Sequence, residues 1–126
     1  MDKETRELVR RRAGDRCEYC GIRQEDEPFY RLHVEHIIAR QHLGGDETTN
    51  LALACHHCNF HKGPNLSAID PTTRQIVQLF DPRGQRWSDH FDMVEGKVTG
   101  RTAVGRATEL LLRMNVPSRV TFRKGS

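Results

Sequence analysis

The sequence predicts a small α+β fold, a metal-clamped core followed by a C-terminal β-hairpin and helix extension. Three observations carry this: two widely separated CxxC pairs, a strand-like run over residues 29–38, and helical patterns near both ends. At 126 residues, with 36% hydrophobic and 6% aromatic residues, the chain has a modest core. Folding at this size buries only about 65–70% of the unfolded surface, so something besides packing is expected to hold the fold. A single domain is expected over 1–126, with a core at about 14–65 and the extension at about 66–126.

The elements follow in order. Residues Lys3 to Ala13 predict a helix stopped by Gly14. Phe29 to Ile38, rich in aromatic and β-branched residues, reads as a strand running into a loop, and Leu43-Gly44-Gly45-Asp46 as a turn. Thr48 or Thr49 is placed to cap a short helical segment at Asn50–Ala54, and the second cysteine pair opens a helix ended by Gly63-Pro64. Gln75–Phe80 predicts a strand, Asp81–Gly84 a turn, and further strand regions follow around Trp87–Phe91 and Lys97–Thr99. Thr102 caps a helix from Ala103 to about Met114, ended by Asn115 and Pro117, and Val120–Phe122 reads as a last strand.

No apolar run approaches the roughly 20 residues a membrane span needs, and the N-terminus lacks the apolar stretch of a signal peptide. The expectation is a cytoplasmic protein with no membrane partner. The formal net charge is +3, but it is unevenly spread: residues 101–126 carry six of the 20 Lys and Arg against one of the 17 acidic residues. Arg10, Arg11, Arg12 and Arg16 add a second basic spot. Local patches of this kind, not the total, supply phosphate contacts; Arg101, Arg106, Arg113, Arg119 and Arg123 are the tail's candidates.

The four cysteines, Cys17, Cys20, Cys55 and Cys58, are more specific. In a chain without a secretory signal a disulfide framework is disfavoured, because the cytosol keeps thiols reduced. Two CxxC knuckles suit a structural, tetrahedral Zn²⁺ with four thiolate ligands. The 34 intervening residues exceed the short zinc pattern of about 15–20, so the ion clamps two distant segments. A thioredoxin-like pair would need a CxxC at a helix start in a βαβ unit, which the polar surroundings do not suggest.

Six of the seven histidines lie between His33 and His61, among Glu35, Asn50, Asn59 and Lys62. One histidine alone means little; this density beside a zinc clamp suggests a reactive site. The run Val34-Glu35-His36-Ile37-Ile38-Ala39-Arg40-Gln41-His42, then Gly44-Gly45, Asn50-Leu51-Ala52-Leu53-Ala54-Cys55 and Cys58-Asn59-Phe60-His61-Lys62-Gly63 resembles the HNH endonuclease motif of the ββα-metal (His-Me finger) fold, in its zinc-containing branch. The resemblance implies that His36, Asn50 and Asn59 are the signature positions. Asn50 then orders the loop so that a backbone carbonyl holds the His36 ring. This sequence departs from the commonest pattern in having Glu35 for Asp before the first His and Asn59 for His at the third position.

The expected activity is hydrolysis of DNA, with 5′ phosphate and 3′ hydroxyl products as the resemblance implies, on a nucleic-acid rather than a small-molecule substrate. Imidazole exchanges protons near neutral pH, so His36 suits the activation of water. Glu35 and Asn59 offer hard oxygen ligands for Mg²⁺ or Mn²⁺. Neighbouring strand residues point to opposite faces, so Glu35 and His36 are expected to flank a bulge or break. His61, two residues from Asn59 and diverging from it on a helix, is the alternative ligand; Lys62 shares the Asn59 face and, with Arg40 and His42, is a candidate phosphate contact. The competing reading is a non-catalytic zinc-ribbon module that binds nucleic acid.

Overall fold

The computed structural model describes residues 1–126. Helix α1 spans Lys3–Ala13, its Asp2 cap accepting from the Thr5 amide at 2.7 Å and Gly14 closing it in the left-handed region at φ 63°. Only Val9 is buried along it. Two of the clustered arginines work inward. Arg10 donates to the Leu32 carbonyl, and Arg12 donates to those of Thr48 and Leu51. Much of the N-terminal basic spot therefore fastens α1 to the backbone beneath it.

Strands β1 (His33–His36) and β2 (Leu51–Ala54) form an antiparallel pair in the register His33↔Ala54, Val34↔Leu53, Glu35↔Ala52, His36↔Leu51. The helical segment expected at Asn50–Ala54 is instead a 3₁₀ turn at Thr48–Asn50 followed by β2, which is buried at all four positions. A strand covered on both faces shows no alternation, and Leu-Ala-Leu-Ala suits a helix equally well by propensity. Helix α2 (His56–Lys62) follows at once, capped by the Cys55 sulfur. Together β1, β2 and α2 make a ββα unit.

The extension contains two more antiparallel pairs, β3 (Ser67–Ile69) with β4 (Ile76–Gln78), and β5 (Phe91–Val94) with β6 (Lys97–Gly100). The short helix α3 (Trp87–His90) replaces most of the strand expected there; β5 begins at Phe91. Helix α4 (Ala103–Leu111) is capped by Thr102, and Thr108 Oγ1 accepts from the Phe80 amide at 2.9 Å. The last strand expected at Val120–Phe122 is instead helix α5 (Pro117–Arg123), with Pro117 in its first turn, where the missing N–H costs nothing. A connected core runs from Val9 through the four cysteines to Phe80, Phe91, Val98, Leu112 and Met114, so the extension packs against the cysteine centre.

The basic tail is largely consumed by the fold. Arg106 binds Asp70 bidentately at 2.9 and 3.0 Å, Arg119 reaches Glu27 at 2.7 Å, and Arg123 donates to the carbonyls of Gly96 and Met114. Arg119 and Arg123, also expected at phosphate, are buried instead. Arg106, expected at phosphate, instead holds the β3–β4 turn, whereas Arg101 remains exposed. No helix is long and apolar enough to cross a membrane.

Candidate functional site

The four cysteine sulfurs lie within 4.8 Å of one another and all four residues are buried. Cys20 and Cys55 Sγ are 3.8 Å apart, the edge of a tetrahedron built on zinc–sulfur bonds of about 2.3 Å. In each knuckle the first sulfur accepts from the amide three residues on, Cys20 to Cys17 and Cys58 to Cys55, both at 3.4 Å. Burial pushes the Cys17 thiol well up, while hydrogen bonds from Cys17, Cys55 and Cys58 hold Cys20 well below its ordinary range. Four buried thiols cannot all ionise without a cation to offset the charge, so this donor set fits Zn²⁺. The buried guanidiniums of Arg119 and Arg123 lie close enough to add favourable charge.

The Glu35 and His36 side chains have different partners. The β1–β2 ladder pairs both residues without a bulge, and the strand ends directly after His36, the break rather than the bulge of the two expected alternatives. The Glu35 side chain points inward, 5% exposed, where Tyr19 Oη donates to Oε1 and Lys62 Nζ lies 3.3 Å from Oε2. Burial raises the Glu35 carboxyl, opposed by Lys62 and the Tyr19 hydrogen bond. Lys62 is 3% exposed and also donates to the carbonyls of Ile37 at 2.9 Å and His36 at 3.4 Å. It is an internal strut tying α2 to β1, in contrast to the exposed phosphate contact expected of it.

His36 stands at the open end of β1. Its Nε2 lies 2.7 Å from Asp46 Oδ1, and Arg40 donates to the same oxygen at 2.9 Å. The His36 hydrogen bond is the first cause holding the Asp46 carboxyl below its usual range, and Arg40 adds to it. The partner of the ring is thus a carboxylate rather than the expected backbone carbonyl. Asp46 is the functional candidate that sequence reasoning passed over; its only signal was a carboxylate directly after Gly44-Gly45. Arg40 and His42 sit on an exposed 3₁₀ turn immediately beyond β1.

Asn50 braces this loop. Its Nδ2 donates to the carbonyls of Ile38 at 3.0 Å and Gly45 at 2.9 Å, and its Oδ1 accepts from the Ile38 amide at 2.9 Å. A Cβ on Gly44 would lie 1.7 Å from the Ile38 carbonyl oxygen, so this packing requires glycine.

On α2, Asn59 falls between two residues that meet β1, His56 against His33 at 3.4 Å and Lys62 against Glu35. At about 100° per residue, Asn59 is about 60° from each, so it faces β1. Its amide makes no side-chain hydrogen bond. His61 lies on the far side of the helix, its ring 4.4 Å from that of His57.

Neither a curated protein nor a solved structure matches the chain. A family model does match, over the segment that carries the cysteine cluster, β1, β2 and α2: residues 17–65 are matched by the family described as HNH endonuclease, and the cysteine cluster fits that family's CxxC…CxxC branch.

Proposed function

We propose that this protein is a metal-dependent HNH endonuclease that hydrolyses DNA phosphodiester bonds, leaving a 5′ phosphate and a 3′ hydroxyl. The observation that carries the reading is the His36–Asp46–Arg40 group at the open end of β1, beside a family match of nuclease type. With Nε2–H donated to Asp46, the free lone pair of a neutral His36 ring is on Nδ1, which is the atom that accepts the proton of the attacking water. Asp46 fixes that tautomer and stabilises the imidazolium that forms. Arg40 and His42, exposed beside it, hold the phosphate and keep it in line.

The residues that would hold a divalent cation are Glu35 and Asn59. Each Glu35 oxygen accepts one internal hydrogen bond and keeps a lone pair, and the Asn59 amide is unengaged, so the donor set fits a hard cation. Such an ion, Mg²⁺ or Mn²⁺, supplies charge stabilisation to the phosphate oxygens and the leaving 3′ oxygen.

A second reading is favoured by one observation. Glu35 is buried between Tyr19 and Lys62, as suits a strut in a zinc-ribbon module that only binds nucleic acid. Plasmid nicking by wild type and His36→Ala, with Mg²⁺, with Mn²⁺ and with neither, separates the two. Cutting by wild type that needs the added ion and drops at least about 100-fold in His36→Ala supports the enzyme. Absence of cutting with either ion, with both proteins binding DNA equally, overturns it.

A further inference from the structure

Beside α2 lies a cleft of about 330 Å³ lined by Phe29, Tyr30, His56, Phe60, His61 and Phe122 among others, with no Leu, Ile, Val or Met in its wall. Phe29, Tyr30 and Phe60 are 69%, 53% and 71% exposed. Their faces are organised: the Tyr30 and His56 rings lie 4.4 Å apart, and His56 and Phe60 stack at 6.3 Å with 25° between planes. The one carboxylate in the wall, Glu27, is spent on Arg119.

Tyr30 also borders a second recess, of about 440 Å³, lined by Arg6, Arg10 and Arg31 and by no carboxylate. Arg10 Nη1 is buried without a partner, and burial followed by the neighbouring charge of Arg31 lowers the Arg10 pKa, with Asp15 opposing. Three cations line one recess, offset only in part by Asp15 near Arg10 and Asp2 near Arg6, and the wall itself offers an anion no carboxylate to repel it.

We propose that the two recesses form one binding track for single-stranded DNA, with an unpaired base stacked in the aromatic cleft and its phosphates in the arginine recess. In the cleft an aliphatic peptide would meet no aliphatic wall, whereas a base offers the π-face that rings accept and its backbone offers the charge for the arginine recess. A paired base is stacked inside a duplex and cannot enter. The track runs along the His56–Phe60 side of α2, next to Asn59, and His56 touches His33 on β1. The proposal thereby deepens the nuclease reading on which it rests, by making the substrate unpaired at or beside the cut.

The test is binding of a 12-nucleotide strand carrying 2-aminopurine, and of its duplex, by the zinc-bound protein without added Mg²⁺ or Mn²⁺. The single strand is expected to bind at least about 10-fold tighter than the duplex, with quenched 2-aminopurine fluorescence, and Phe60→Ala and Tyr30→Ala each to weaken it about 10-fold and remove the quenching. Both rings are more than half exposed, so the variants are expected to melt like wild type. Arg31→Ala is expected to weaken binding and lower the salt slope by about 1. Equal affinity for duplex, or single-strand binding unchanged in both ring variants, overturns the track. Because no cutting is measured, loss of binding in the variants supports the track even if His36 proves inert; unchanged binding in both ring variants of a protein that cuts removes only the track.

Discussion

Lys62→Met tests whether the internal ion pair holds α2 against β1. The substitution keeps the apolar stem and deletes the ammonium, leaving Glu35 buried beside Tyr19 alone and the Ile37 and His36 carbonyls without their donor. Breaking a buried pair on one side costs about 3–5 kcal/mol. Part of that is relieved here, because the Glu35 carboxyl, already raised by burial, can take up a proton. A loss of about 3 kcal/mol is expected, which for a chain of this size is a fall in Tm of about 10 °C. The assay is urea and thermal denaturation of zinc-loaded protein, run as a cycle with Glu35→Gln. The double variant is expected to recover about 1.5 kcal/mol or more of the summed single losses, since the two side chains touch. A Lys62→Met protein melting within about 2 °C of wild type, or strictly additive losses, would show that the pair does not hold the two elements together.

Cys58→Ser removes one of four clustered ligands and is expected to abolish cooperative unfolding along with stoichiometric zinc; a cooperatively melting variant with unaltered zinc content contradicts the clamp. Asn50→Ala deletes three hydrogen bonds of about 1 kcal/mol each, so stability should fall by about 2–3 kcal/mol and hydrogen exchange at the Ile38 amide should quicken; an unchanged Ile38 amide refutes the brace. Arg106, followed by Thr73 and the Thr72 and Thr73 amides, holds the Asp70 carboxyl below its ordinary 3.8. The stability it contributes is complete above that value and is lost as pH falls through the lower folded one. Wild type should therefore lose stability between about pH 4 and pH 2 more steeply than Asp70→Asn; parallel curves contradict this.

What could be read from the sequence was whatever depends on spacing. The CxxC pairs announced the cysteine centre, and Gly14, Thr102 and the Gly44-Gly45 turn marked real boundaries. Failures came where neighbours in space decide. The wholly buried β2 lacked a period, and Val120-Thr121-Phe122 favoured a strand by side-chain shape although Pro117 starts a helix that buries Arg119 and Arg123. At the site, Glu35 and Lys62 were recognised as important, but no linear pattern tells a carboxylate aimed at an ion from one locked to an ammonium 27 residues away. The Asp46 contact with His36 arises across a loop whose course is set by Asn50.

The contact between Glu27 and Arg119 joins residues 92 apart, and Ser126 Oγ reaches Asp26 across 100. During synthesis at about 5–20 residues per second, Glu27 waits roughly 5–18 s for its guanidinium partner. All four cysteines are made well before α5. On the growing chain the cysteine centre therefore stands open on one side until its last helix is added.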